Sequence, residues 1–175
     1  MVDYTLKALQ GNGRIVIGDA PMQECKFEKL IEKSGYKALV EWYKNKGCDI
    51  QLIDFRELKS DIVNGVRVQH VNDRAKGTVI NLGADSEFAF LDEDLFDRMR
   101  VTNYDPDILK QHHTRDKNEY YISDYILNSD CIINMPKPKC HRKAGVTISL
   151  KNMIDINVRK EYLPHHTMGS IERRW

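Results

Sequence analysis

Two short apolar runs, each with an aspartate close to its carboxyl end, constrain the fold more than any other feature of this sequence. The first is Arg14-Ile-Val-Ile-Gly18, which the turn-prone Asp19-Ala-Pro21 follows, and the second is Asp49–Phe55, which contains Asp54. Between them, apolar residues recur at mostly helical spacing. A strand, a helical stretch and a second strand form the βαβ unit of a parallel sheet, so Asp19 and Asp54 are predicted to lie at the same sheet edge.

The later segments predict additions to this sheet. Asn64-Gly65 lies between the β-rich flanks of Ile62–Val71, which favours a hairpin. Tyr120–Leu127 has a helical pattern, and Cys131–Met135 is an apolar run, typical of a buried strand, that Pro136 stops. We therefore predict a three-layer α/β fold in which a mostly parallel sheet is flanked by helices and carries an antiparallel β-hairpin insertion.

Composition limits the classes of protein and partner. The chain has 175 residues, 41% of them hydrophobic, which predicts a single α/β domain over residues 1–175. Its 27 basic and 26 acidic residues give a net charge of +1, so no overall field draws it to nucleic acid or anionic lipid. The sequence contains neither an apolar run of membrane-spanning length nor a signal peptide at Met1–Gln10, which predicts a cytoplasmic protein without membrane contact.

The common cofactor motifs are absent from the sequence. The four cysteines are widely spaced and form no Cys-x-x-Cys pair, so the chain has no iron–sulfur or zinc-ribbon motif. Gly11-Asn-Gly13 precedes the first predicted strand instead of following it, as a dinucleotide-binding loop would, and no phosphate-binding Gly-x-x-x-x-Gly-Lys-Ser/Thr loop occurs. The sequence therefore indicates no particular cofactor.

The segment 134–152, which we call the basic loop, carries the strongest functional signal. It holds five basic residues and no acidic one, so the rest of the chain is net negative: Lys137, Lys139, Arg142, Lys143 and Lys151. A solvated surface loop is the alternative, but Pro136 and Pro138 stiffen the segment, and it follows a predicted strand end, where ligands of open α/β sheets bind. Thr147 and Lys151 are four residues apart, so they share a face of either a helix or a strand. These features predict an anion site.

The predicted site combines this loop with the ends of the first two strands. His141 and Asp19 are the candidate catalytic residues because both side chains can move a proton with a tunable pKa. The candidate substrate-binding residues are Lys137, Lys139, Lys143, Thr147, Lys151, Asn152 and Arg56. His165 and His166 are candidate metal ligands, since together with His141 or Asp19 they could furnish three ligands. The pair His112-His113 lies in a polar stretch and is predicted to be on the surface.

Several motifs together resemble one family. They are Ile17-Gly-Asp-Ala-Pro21, Asp54-Phe-Arg56, Ile133-Asn-Met-Pro-Lys-Pro-Lys-Cys-His141, Gly145-Val-Thr147, Lys151-Asn152 and Leu163-Pro-His-His-Thr-Met-Gly169. This set, from about Arg14 to Gly169, is similar to the bacterial and archaeal family known as domain of unknown function 362. The resemblance implies no settled activity, and this chain lacks the ferredoxin-type cysteine clusters of some relatives.

The chain departs from that family at three places. Cys140 stands where a threonine is frequent, and Asp155 stands where a glycine often follows the Lys-Asn pair. The chain also stops at Ile171-Glu-Arg-Arg-Trp175, where similar proteins usually continue, which indicates a fragment of a longer chain.

Two hypotheses follow from the sequence. The first is an enzyme acting on a small anionic substrate that bears a phosphate or a carboxylate. The alternative is a non-catalytic anion-binding or protein-interaction domain. Nucleic acid is the weaker partner, because the basic loop has no aromatic residue on which a base could stack. The sequence does not indicate an oligomeric state.

Overall fold

A computed structural model describes residues 1–101 and 104–168. The helices are α1 Val2–Leu9, α2 Phe27–Lys33, α3 Tyr36–Lys44, α4 Glu93–Arg98, α5 Pro106–His112, α6 Asp124–Leu127 and α7 Ser149–Ile154. The strands are β1 Ile15–Asp19, β2 Ile50–Asp54, β3 Leu58–Val63, β4 Val66–Val71, β5 Gly77–Asn81, β6 Met99–Arg100, β7 Glu119–Ser123, β8 Lys139–His141, β9 Gly145–Thr147 and β10 His166–Thr167. Short 3₁₀ segments lie at Gly83–Asp85, Glu87–Phe90 and Lys160–Tyr162. Within these described ranges, no helix has the length and apolar character needed to cross a membrane.

The predicted βαβ unit is confirmed. Strands β1 and β2 pair in parallel, with α2 and α3 between them in the chain, and Asp19 is the register partner of Asp54. The unit is stabilised by a small apolar core in which Val40 and Tyr43 of α3 pack with Ile50 of β2. The two aspartates therefore lie side by side at the carboxyl edge of the parallel pair, as predicted.

The predicted three-layer, mostly parallel sheet is wrong. The described strands form five two-stranded sheets, and apart from β1–β2 all of them are antiparallel: β3–β4, β5–β7, β6–β10 and β8–β9. Cys131–Met135, the predicted third parallel strand, forms no strand, and both Ile132 and Ile133 are 47% exposed. Pro136 and Pro138 supply no amide donors, so this end of the segment cannot complete a hydrogen-bonded ladder.

Two local predictions have opposite outcomes. The hairpin at Asn64-Gly65 is confirmed, since β3 and β4 pair from Leu58 opposite Val71 to Val63 opposite Val66. Asn64 and Gly65 have φ values of 51° and 78°, and the type I′ hairpin turn requires positive φ at both central positions. The helix predicted over Tyr120–Leu127 is only half right. Its first residues belong to β7, which pairs with β5, and the helix α6 begins only at Asp124.

His113 is buried, contrary to the surface position predicted for it. It is 2% exposed, and its Nε2 lies 2.7 Å from the carbonyl oxygen of Tyr162, while its Nδ1 lies 3.3 Å from Oδ1 of Asn118. The Asn118 amide nitrogen donates to the carbonyls of Gly83 and Thr114, so its oxygen is turned towards the ring. The polar neighbours of His113 in the sequence conceal this buried position.

This burial predicts a loss of stability in mild acid. Burial lowers the pKa of His113 in the folded protein, although the hydrogen bonds to Tyr162 and Asn118 oppose the shift. As the pH falls through about 6.5, the unfolded chain binds a proton that the folded chain resists, so the free energy of unfolding decreases. Urea unfolding of the wild type and of His113→Gln at about pH 7.5 and pH 5.5 tests this. The decrease should be smaller in the variant, and an equal decrease in both proteins would contradict the prediction.

Candidate functional site

Three charged side chains meet at the end of β1. Asp19 is the last residue of this strand, and the amide of the next residue, Ala20, donates to the carbonyl oxygen of Asp155 at 2.9 Å. The carboxylate of Asp155 accepts a hydrogen bond of 2.8 Å from Nζ of Lys160, which is largely buried. Neither Asp155 nor Lys160 is among the site residues predicted from the sequence.

The electrostatic surroundings of Asp19 suit a proton carrier. Burial raises the pKa of the Asp19 carboxyl, and repulsion from Asp155 raises it further. Lys160, the amide of Ala20 and Lys139 act in the opposite direction. Lys139 belongs to the basic loop, so its influence on Asp19 shows that the loop lies within electrostatic range of the strand end. A carboxyl with a raised pKa gives and takes up protons closer to neutral pH than an exposed one does.

A small cavity of about 70 Å³ lies beside Asp19. Its lining includes side chains from the strand end and from both ends of the basic loop: Asp19, Phe55, Ile133, Asn134, Asn152 and Asp155. The side-chain Nδ2 of Asn152 donates to Oδ1 of Asn134 at 2.8 Å, and Nδ2 of Asn134 in turn donates to the backbone carbonyl of Ser149 at 3.0 Å. These two bonds hold the ends of the basic loop together, so the predicted binding residue Asn152 also has a structural contact.

The centre of the basic loop is the β8–β9 hairpin. Lys139 stands opposite Thr147, and His141 stands opposite Gly145. Nδ1 of His141 accepts hydrogen bonds from the amides of Lys143 at 3.2 Å and Ala144 at 3.1 Å, which fixes the turn. An acceptor at Nδ1 implies that Nε2 carries the proton of the neutral ring.

The segment Ala144–Ile154, which the sequence left open between helix and strand, contains both. Strand β9 ends at Thr147, and α7 begins at Ser149. The shared face predicted for Thr147 and Lys151 requires one continuous element, whereas the two residues belong to β9 and α7. Lys151 is exposed on α7, Thr147 is half-buried, and Lys137 is exposed between Pro136 and Pro138.

His165, one of the two predicted histidines, lies within electrostatic range of the basic loop. Strand β10 pairs with β6, and the amide of His165 donates to the carbonyl of Arg100, which anchors this segment. Burial lowers the pKa of His165, and four cationic or titratable neighbours lower it further: Lys151, His166, Lys143 and His141. The structure therefore places four other predicted site residues within electrostatic range of His165.

The cations of the basic loop have no acidic partner among the described residues. None of their side chains has a carboxylate within 4 Å in the described part of the chain, whereas many cations elsewhere are paired, for example Lys26 with Asp61, Arg56 with Asp54 and Arg159 with Glu57. Uncompensated cations on one short hairpin repel each other, which raises the affinity of that surface for an anion.

Arg56, a predicted binding residue, has extensive contacts inside the protein. It is 1% exposed, and its Nη1 donates to the carbonyl oxygens of Met22, Gln23 and Cys25. Its Nε and Nη2 donate to the two carboxylate oxygens of Asp54 at 2.9 and 2.7 Å. These bonds stabilise the loop after β1, and contact with an anion would compete with them.

The two histidines predicted to bind a metal lie next to each other. The Nδ1 atoms of His165 and His166 lie 3.3 Å apart with nearly perpendicular rings, and His141 is close enough to influence His165. Residues 1–101 and 104–168 contain no group of three or more histidines, cysteines, aspartates or glutamates arranged to hold a metal ion. Metal binding by His165 and His166 stays a prediction.

Comparison with known proteins confirms the family resemblance over part of the chain. Residues 94–172 match the family described as domain of unknown function (DUF362). The match covers the basic loop and the two histidines, His165 and His166, while the motifs around Asp19 and Asp54 precede it. Gly169, the last residue of the motif that contains these histidines, lies outside the described residues. No similar curated protein and no similar solved structure was found.

Proposed function

We propose that the chain binds a small anion bearing a phosphate or a carboxylate at the basic loop, and that it is an enzyme acting on this anion. One observation carries the proposal: Lys139, Lys143 and Lys151 have no carboxylate partner among the described residues, and the last two lie close to His165. An anion between them would replace mutual repulsion with charge-assisted hydrogen bonds.

His165 adds an uncharged side chain to this cationic surface. Because burial and the nearby lysines lower the pKa of His165, its imidazole is uncharged at neutral pH and can donate one hydrogen bond. Binding of an anion would offset the positive potential and raise that pKa again. Anion affinity should therefore increase when His165 takes up a proton.

Asp19 and His141 are the proposed proton carriers. Asp19 lies in electrostatic contact with Lys139 and has a raised pKa, as a general acid or base working near neutral pH requires. His141 is exposed, and with Nδ1 engaged in its turn it would present Nε2 to a ligand. An enzyme would use the lysines to orient the anion and one of these two groups to move the proton.

A protein-interaction domain is the second candidate, and the apolar side chains of the same region favour it. Four of them are strongly exposed around the basic loop: Met135, Val146, Ile148 and Leu150. Clustered apolar exposure of this kind marks surfaces that bind other proteins. The two candidates differ in what the lysines do, since only the first requires them to contact a small anion.

Separate substitution of Lys139 and Lys151 by alanine tests the first candidate. Each change should weaken phosphate binding by roughly ten- to hundredfold, because it removes a charge-assisted hydrogen bond of about 1.5–3 kcal/mol. Since neither lysine has a carboxylate partner among the described residues, the free energy of unfolding should change by less than about 0.5 kcal/mol. Calorimetric titration and urea unfolding at one ionic strength measure the two effects.

Lys37→Ala is the matched control. Lys37 is an exposed lysine of α3 outside the basic loop, so its removal tests the effect of net charge alone. Its phosphate affinity should equal that of the wild type. Wild-type affinity in both Lys139→Ala and Lys151→Ala, or equal weakening in all three variants, would refute anion binding at this loop.

A further inference from the structure

A buried polar cluster surrounds Gln23, on the far side of Arg56 from the carboxylate of Asp54. The Gln23 side chain is almost fully buried, and its amide nitrogen donates to Oε1 of Glu161 at 3.2 Å. Its amide oxygen accepts from Gln69 of β4 at 3.3 Å, and its backbone carbonyl accepts from the amide of Ser60 of β3 at 3.0 Å. The loop after β1, the β3–β4 hairpin and the segment Lys160–Tyr162 therefore meet at Gln23.

Three side-chain oxygens of this cluster are buried without a hydrogen-bond partner among the described residues: Oε2 of Glu24, Oγ of Ser60 and Oε2 of Glu161. Ser60 and Glu161 are each only 3% exposed. A buried carboxylate oxygen without a donor is costly, because the protein has removed its water and supplied nothing in exchange. Ser60 and Glu161 both contact Gln23, and Glu24 follows it in the chain, so these oxygens belong to one neighbourhood and indicate a ligand that accepts electron pairs.

Ser60 lies on the face of the β3–β4 hairpin that is turned towards the cluster. Ser60 and Gln69 are register partners on β3 and β4, so their side chains project from the same face of the hairpin. The Gln69 side chain reaches Gln23, which contacts Glu161, so this face is turned towards the cluster. Arg67, two residues before Gln69 on the same face, is paired with Glu24.

The cluster has an excess of negative charge. Arg67 compensates Glu24, but Glu161 has no cation within 4 Å among the described residues. Burial raises the pKa of Tyr104, and Glu24 and Glu161 both raise it further, which places the two carboxylates near one phenol. The phenol oxygen is 3.5 Å from the backbone amide of Gln23 and adds another oxygen to the group.

We infer that Glu161, Ser60 and Glu24 form a binding site for a hard metal cation, and that this cation is Ca²⁺. All the available donors are oxygens, which excludes metals that prefer sulfur or imidazole. Ca²⁺ accepts carboxylate, hydroxyl and carbonyl oxygens in irregular arrangements, whereas Mg²⁺ demands near-octahedral geometry. The bound cation would neutralise Glu161 and join the β3–β4 hairpin to the segment that carries Lys160. The inference does not depend on anion binding at the basic loop.

The test compares Ca²⁺ binding by the full chain and by Glu161→Gln. Protein freed of metal with a chelator and dialysed into phosphate-free buffer is titrated with CaCl₂ by calorimetry and then melted with and without Ca²⁺. The wild type should bind one Ca²⁺ and melt at a higher temperature when it is bound. Glu161→Gln should bind roughly tenfold or more weakly, and Ser60→Ala should also weaken binding, by a smaller factor.

Two further proteins keep the result unambiguous. Glu28→Gln removes an exposed carboxylate of α2 and should bind Ca²⁺ as the wild type does. Glu161→Gln without Ca²⁺ should melt at a temperature no lower than that of the metal-free wild type, because it removes an uncompensated buried charge. Such a melting temperature would show that the variant is folded. A wild type that Ca²⁺ does not stabilise would overturn the inference and indicate a buried water at these oxygens instead. Equal Ca²⁺ affinity in the wild type and Glu161→Gln would also overturn it.

Discussion

Substitution of Arg56 by alanine should lower the free energy of unfolding by about 3–5 kcal/mol. The guanidinium is fully buried, and it donates to the carboxylate of Asp54 and to three carbonyl oxygens of the loop after β1. Alanine would leave Asp54 buried, with Lys59 at 3.3 Å as its remaining cation, and would remove one donor from each of the three carbonyls. The carbonyls of Met22 and Gln23 keep the backbone amides of Cys25 and Ser60 as donors, so the stranded charge of Asp54 accounts for most of the expected loss.

Urea unfolding of Arg56→Ala and of Arg14→Ala measures this effect. Arg14 also makes an ion pair with an aspartate, Asp49 at 2.8 Å, but both side chains are about half exposed. An exposed pair of this kind contributes at most about 1 kcal/mol. Arg56→Lys keeps the charge and loses the forked geometry, so its stability should lie between those of the wild type and Arg56→Ala. Equal stability of Arg56→Ala and Arg14→Ala would contradict the prediction.

The position of Arg56 shows why the sequence misplaced part of the site. A basic residue just after a strand end looks the same in a sequence whether its side chain binds a ligand or binds backbone carbonyls of the protein itself. The acceptors that engage Arg56 are mostly backbone carbonyls of residues 22–25, and residue types do not reveal which carbonyls lack a partner. The sequence shows the neighbouring Asp54, but it does not show the three backbone carbonyls that accept hydrogen bonds from Arg56.

Local patterns predicted the local structure well. The βαβ unit and the hairpin at Asn64-Gly65 depend on periodicity and on turn chemistry, which act over a few residues, and both are confirmed. The third parallel strand depended instead on a distant pairing. An apolar run such as Cys131–Met135 satisfies the pattern of a buried strand without specifying a partner, and the prolines that follow limit its ability to form a ladder.

The candidate site divides in the same way. The number of basic residues in the segment was enough to identify the basic loop. The sequence indicated His165, Lys143 and Lys151 as separate candidates, and the electrostatic influence of the two lysines on His165 comes from the structure. Asp155 and Lys160 were missed, since a single acid and a single lysine five residues apart resemble ordinary surface charges. The one available signal was that Asp155 stands where similar sequences often have a glycine.

Gly18 provides the most direct test of how the strand end supports the site. A Cβ atom at this position would lie within 3.0 Å of three atoms of the Phe55 ring: Cζ, Cε1 and Cε2. Phe55 is buried, stacks on Tyr125 and lines the cavity beside Asp19, so its ring has little room to move. Gly18→Ala should therefore lower the free energy of unfolding by about 3 kcal/mol, near the upper end of the usual cost of overpacking.

A double-mutant cycle separates this clash from other effects of the substitution. If the Phe55 ring is the obstacle, Gly18→Ala should cost less than about 1 kcal/mol in a Phe55→Ala background, because the space vacated by the ring accepts the new methyl group. Urea unfolding of the wild type, both single variants and the double variant gives the coupling energy directly. A loss of equal size in both backgrounds would show that the cost arises in the β1 backbone itself. In that case the close approach of Gly18 to Phe55 would not be what holds Asp19 in position.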